Sequence, residues 1–108
     1  DVRRKSDVTT ILNAVWQYAA KNGGTFPTGV SSTSAPISTA VGGTGAAFCN
    51  AIVPTYLARL PVDPSTGSYT DCATYDTGYT IITDATGRRI TVGATLADTT
   101  QNPYSVTR

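Results

Sequence analysis

One stripe of side chains constrains this chain more than anything else in it. Val8, Ile11, Leu12, Val15, Trp16, Tyr18 and Ala19 recur at the spacing of a single helix face, while Arg3, Ser6, Thr10, Asn13, Gln17 and Lys21 fall opposite. Apolar residues at i, i+3, i+4 and i+7 mark a helix that must bury one side, and the spacing predicts one over residues 2–22. Gly23-Gly24 supplies the left-handed stop that helix C-termini favour, and Lys21 lies where the helix dipole stabilises a cation. The start is poorer. No capping residue precedes it, and Arg3-Arg4-Lys5 puts positive charge at the end where the dipole opposes it. A helix with a good stop and a poor start reads as the second half of a longer one, so residue 1 is expected to be a cut end.

The last third carries a different period. Tyr79, Ile81 and Thr83 alternate with Thr80 and Ile82, a hairpin loop follows at 84–87, and Ile90, Val92, Ala94 and Leu96 then share one face. Period-2 patterning with one apolar side predicts an antiparallel sheet with a buried face. Residues 69–75 offer a further strand. A one-sided helix and a one-sided sheet satisfy each other by packing together. The expected fold is therefore α+β, with the N-terminal helix laid across a three- to four-stranded antiparallel sheet.

Between helix and sheet runs a Ser-, Thr-, Gly- and Pro-rich connection, with room for a short strand or turn at 37–41. A short helix is expected at 46–53, capped by Thr44, and a turn at Asp63-Pro64-Ser65-Thr66-Gly67. The expected organisation is one domain over 1–108: helix 1–23, connection 24–68, sheet 69–97 and a polar tail 98–108, with Pro103-Tyr104 pinning the tail back.

Composition narrows the chemistry. The 108 residues include no His and no Met, every acid is Asp, and the formal net charge is +1. Without His there is no Ser–His–Asp or Cys–His catalysis and no imidazole metal site. No nucleophile–base constellation can be assembled, so no catalytic residue, metal site or cofactor is expected and the chain does not read as an enzyme. Balanced charge leaves no overall electrostatic footprint for nucleic acid. Arg3-Arg4-Lys5 and Arg88-Arg89 are the two basic groups. Solvated charge or subunit–subunit salt bridges are the favoured reading of both, contact with DNA the lesser one, and no DNA-binding residue is assigned. Arg88 and Arg89 point to opposite faces of a regular strand and make a poor joint patch.

Cys49 and Cys72 are the chain's two cysteines. The favoured reading is a disulfide, because an even pair in a small, loop-rich, weakly charged domain is the usual framework signal. Two buried reduced thiols are the alternative. Closing that loop stabilises by ~3 kcal/mol in the chain-entropy model.

The order of segments has a further meaning. A helix that begins in mid-register, containing Asp7, Ile11-Leu12-Asn13-Ala14 and Tyr18, runs into Asn22-Gly23-Gly24-Thr25-Phe26-Pro27. Tyr56-Leu57-Ala58-Arg59-Leu60-Pro61-Val62-Asp63-Pro64 follows, and then Tyr79 opens the hairpin. This resembles the soluble part of a type IV pilin, or of the related major pseudopilins of type II secretion, over nearly the whole chain. The resemblance implies a structural filament subunit, exposed at the cell surface and held in the inner membrane before assembly by an apolar half-helix that this sequence lacks. It implies other copies and the inner-membrane assembly machinery as partners. Adhesion, motility and DNA uptake are the functions such filaments serve. Two alternatives stand beside it. One is a calcium-stabilised secretion pseudopilin, with Asp63, Asp71, Asp76 and Asp84 as the available carboxylates, although solvated turn aspartates are the favoured reading of these. The other is a secreted module that binds glycan or DNA.

Overall fold

A computed structural model describes residues 2–84, 89–95, 100 and 104–108. The apolar stripe forms α1 (Val2–Lys21), followed by β1 (Ala35–Ser38), α2 (Gly45–Ile52), β2 (Ser68–Asp71), β3 (Thr74–Thr83), β4 (Ile90–Ala94) and β5 (Tyr104–Thr107). α1 ends where the glycines predict. Gly23 and Gly24 take φ of +68° and +89°, and the Gly24 N–H donates to the Ala19 carbonyl at 2.8 Å. This closes the last turn with a backbone geometry that residues bearing a Cβ resist.

β3 organises the sheet. β1 pairs with it through Ala35↔Ile81 and Pro36↔Thr80, and β4 through Thr80↔Gly93 to Thr83↔Ile90. β2 pairs with the beginning of β3, Ser68↔Asp76 and Tyr69↔Tyr75. Asp76 and Thr80 each have partners on both sides, so β1 occupies one edge of β3 while β2 and β4 share the other. Between those two, the Asp63 N–H donates to the Thr77 carbonyl at 2.7 Å, and the connection itself closes that stretch of edge. β5 lies outside β4, with Val92↔Val106 and Ala94↔Tyr104 in register. Every pairing is antiparallel.

The expected α+β arrangement is present, with a larger sheet than expected. The described residues form five strands rather than three or four. The tail supplies the extra one: Tyr104 and Val106 turn toward the core while Ser105 and Thr107 stay exposed. That alternation is only four residues long, too short to stand out in the sequence. β1 lies two residues earlier than the expected 37–41. Arg88, Leu96, Pro103 and most of the expected hairpin loop at 84–87 lie outside the described residues.

Helix and sheet bury each other as their stripes require. Val8, Ile11, Leu12 and Val15 of α1 join one apolar cluster with Ile37, Tyr79, Ile81, Ile90 and Val92 of the sheet, and Phe48, Cys49, Ile52 and Leu60 of the connection complete it. Phe26 plugs the end of α1, its ring edge-on to Trp16 at 5.2 Å between centroids. Thr44 does not cap α2. Its φ/ψ are helical and its hydroxyl is 3.1 Å from the Tyr75 hydroxyl, which itself donates to the Gly45 carbonyl at 2.7 Å. The side chain that would cap the helix instead ties its first turn to β3.

Candidate functional site

The charged side chains nearest the core lie where the first turns of α1 meet the connection. Counting along α1, Arg4 and Asp7 stand in register with the apolar stripe, Arg4 four residues before Val8 and Asp7 four before Ile11, and both are buried. Arg4 reaches across the chain to Asp63. Its Nε donates to Oδ2 at 2.8 Å, and one terminal nitrogen donates to Oδ1 at 3.2 Å and to the Ser65 Oγ at 2.9 Å. Such forked pairing is among the stronger hydrogen-bonded geometries available to a carboxylate.

Asp63 is prepared for this role by its turn. The backbone N–H groups of Ser65 and Thr66 donate to its Oδ1 at 2.8 and 3.2 Å, and its own carbonyl accepts from Gly67 at 2.9 Å. The Arg4 hydrogen bond, helped by these two N–H groups, outweighs burial and holds the Asp63 carboxyl at about 2. The same hydrogen bond raises the Arg4 guanidinium above its ordinary value. Gly78 makes the fit possible: a Cβ there would stand 2.8 Å from both the Asp63 Cβ and the Thr66 Oγ1.

One turn further along α1, Asp7 accepts a 2.7 Å hydrogen bond from the hydroxyl of Tyr79, a fully buried residue of β3. Burial, and then this hydrogen bond to an anion, push the Tyr79 phenol well above its ordinary value. Arg3 approaches the same carboxylate at 3.8 Å. Among the described residues, no buried side-chain nitrogen or oxygen lacks a partner. Arg4–Asp63 and Asp7–Tyr79 together fasten α1 to the connection and to the central strand, with their polar groups satisfied.

The expected basic run Arg3-Arg4-Lys5 therefore splits. Arg4 is buried and paired, Lys5 sits 5.5 Å from the centre of the Tyr104 ring, and Arg3 remains largely exposed. Asp63 is likewise no solvated turn aspartate. The structure departs from both expectations because a basic run and an Asp-Pro turn look locally like surface. The one signal that could have singled out Arg4 is its register with the stripe.

Cys49 and Cys72 are joined in a disulfide, their Cα atoms 5.3 Å apart. The bridge ties the core face of α2 to the β2–β3 turn. Three of the four candidate calcium carboxylates are taken by separate partners. Asp63 is engaged by Arg4, Asp71 accepts from the N–H groups of Ala73 and Thr74, and Asp76 accepts from Gly78. No group of three or more metal-ligating side chains occurs among the described residues, and none of their helices is long and apolar enough to cross a membrane.

No family model matches the chain, and neither a curated protein nor a solved structure does.

Proposed function

We propose that the chain is the globular domain of a structural filament subunit of the type IV pilin class. The observation that carries this reading is the placement of the two motifs that define the resemblance. Asn22-Gly23-Gly24-Thr25-Phe26-Pro27 terminates and plugs the long helix, with Phe26 on Trp16. Leu60-Pro61-Val62-Asp63-Pro64 is drawn against the opposite end of the same helix, with Leu60 in the core and Asp63 on Arg4. Both ends of the helix are thus held by the connection, as a handle must be if force along it is to reach the domain.

In this reading the mechanism is assembly. An apolar half-helix preceding residue 1 anchors the subunit in the inner membrane and is then buried among copies of itself, the hydrophobic effect supplying most of the driving force. Copies related by a head-to-tail operation that does not close generate a filament, and the sheet domain decorates its surface. The disulfide suits an exposed, oxidising location. Immunogold electron microscopy of cells producing the full-length protein tests the proposal. Label in rows along surface filaments is the expected result, and label confined to the soluble periplasmic or secreted fraction overturns it.

A further inference from the structure

Beside the Arg4–Asp63 pair, the same junction opens a cleft of ≈ 380 Å³ lined by Arg3, Thr10, Arg59, Leu60, Pro61 and Val62. Arg3, Arg59 and Thr10 border it, and Pro61 and Val62 give it an apolar side, while the Leu60 side chain is buried in the core. Arg3 is 62% exposed, and its approach to Asp7 at 3.8 Å is longer than a hydrogen bond. Asp7 is already engaged by Tyr79. Arg59 holds its guanidinium carbon 4.9 Å from the centre of the Tyr69 ring, a cation–π contact that occupies the face of the cation without using its N–H donors. Among the described residues, neither guanidinium hydrogen-bonds a carboxylate. The Arg4–Asp63 pair fixes the spacing, since it holds the segment bearing Arg59 against the turn bearing Arg3.

We infer that the Arg3–Arg59 cleft binds a phosphate group, and that the phosphate is the headgroup of an anionic phospholipid. Planar, permanently charged forks suit phosphate oxygens, and the apolar side accommodates the glycerol and first methylenes of a lipid better than it does a free ion. A nucleic acid is the poorer fit. A single cleft gives no track for a backbone, and the Tyr69 ring, on which a base could stack, already carries Arg59. The lipid source rests on the filament-subunit reading, in which the early turns of α1 face the bilayer before assembly. Headgroup binding there would hold the domain upright on the membrane until it is extracted.

The test is a chemical-shift titration of the 108-residue chain with four probes: micelle-free dihexanoyl-phosphatidylglycerol, dihexanoyl-phosphatidylcholine, inorganic phosphate and a short DNA duplex. Phosphatidylglycerol is expected to shift the amides of Arg3, Thr10 and residues 59–62 most strongly, inorganic phosphate the same amides more weakly, and phosphatidylcholine little. The double variant Arg3→Gln/Arg59→Gln is expected to lose about tenfold or more in affinity, the loss of roughly one charge-assisted hydrogen bond, while Lys21→Gln at the far end of α1 keeps it. Both exchanged arginines are exposed, so the double variant should keep the wild-type spectrum elsewhere. Three results overturn the inference: no shift at these amides with either anion, equal binding by the double variant and Lys21→Gln, or equal shifts by the two lipids. Inorganic phosphate or DNA binding more tightly than phosphatidylglycerol overturns the lipid source. None of these results bears on whether cells display labelled filaments, so the two proposals fail separately.

Discussion

Arg4 and Asp63 lie 59 positions apart in the chain and meet as a buried, forked ion pair, with Nε to Oδ2 at 2.8 Å. The pair joins the αβ connection to the early turns of α1, and it makes stability depend on pH in acid. The Asp63 carboxyl sits at about 2, below its ordinary 3.8. A carboxyl depressed by folding contributes stability above its unfolded value and loses it as pH falls toward the folded value. Thermal stability is therefore expected to hold down to about pH 4 and then fall toward pH 2. In Asp63→Asn that acid limb becomes shallower, while Tm near neutrality drops by about 5 °C or more, because Arg4 is left buried without its anion. Calorimetric scans of both proteins across this range check the prediction.

A second prediction separates the pair from its parts. In Arg4→Met/Asp63→Leu both charges are replaced by apolar groups, and no uncompensated ion remains. The double variant is expected to be more stable than either single exchange. Chemical denaturation of the four proteins in the cycle measures this, and a double variant at least as unstable as the sum of the singles would count against it.

Tyr79 gives the alkaline counterpart. Its phenol is raised above the ordinary 10 by burial and by Asp7, so the stability it contributes is intact below pH 10 and is lost as pH rises beyond it. Tyr79→Phe leaves the Asp7 carboxylate without its 2.7 Å donor and is expected to cost about 1–3 kcal/mol. Tyrosinate absorbance followed against pH should lose part of its late-rising component in this variant. Tyr75, also raised by burial, retains the remainder.

Gly78 tests the packing of the turn on β3. It takes φ of +77°, and a Cβ would meet Asp63 and Thr66 at 2.8 Å. Gly78→Ala is expected to destabilise by about 1–3 kcal/mol through backbone strain and contact. At Gly42, which also has positive φ but nothing within 4 Å of a Cβ, Ala should cost less. Denaturation midpoints of the two variants give the comparison.

The cysteine bridge is expected to contribute about 2–5 kcal/mol. Cys49→Ala/Cys72→Ala measures it against the oxidised chain, and intact mass with and without reduction before alkylation verifies the bridge itself.

How far the sequence could be read follows from the range of the forces involved. α1 and the β3–β4 hairpin declare themselves because their burial is periodic and local: Val8 to Ala19 at one spacing, Tyr79 to Ala94 at another. The disulfide was legible because only two cysteines exist to pair. Arg4–Asp63 was not, since its partners come from segments with no shared local pattern; the register of Arg4 with the stripe hints that it points inward, but only packing shows what it meets. Thr44 failed as a cap for the same reason: its hydroxyl is taken by Tyr75, 31 positions away. β5 went unread because four alternating residues carry too little signal. The cleft at Arg3 and Arg59 depends on the Arg4–Asp63 contact and was hidden with it.

The proposed filament subunit requires α1 to be the exposed half of a longer helix whose other half is apolar. Determining the residues encoded upstream of Asp1 tests this most directly. A run of about twenty apolar residues with an early Glu, behind a Gly-ended leader, is the expected result. A hydrophilic stretch there, or an initiating Met a few residues before Asp1, would contradict it.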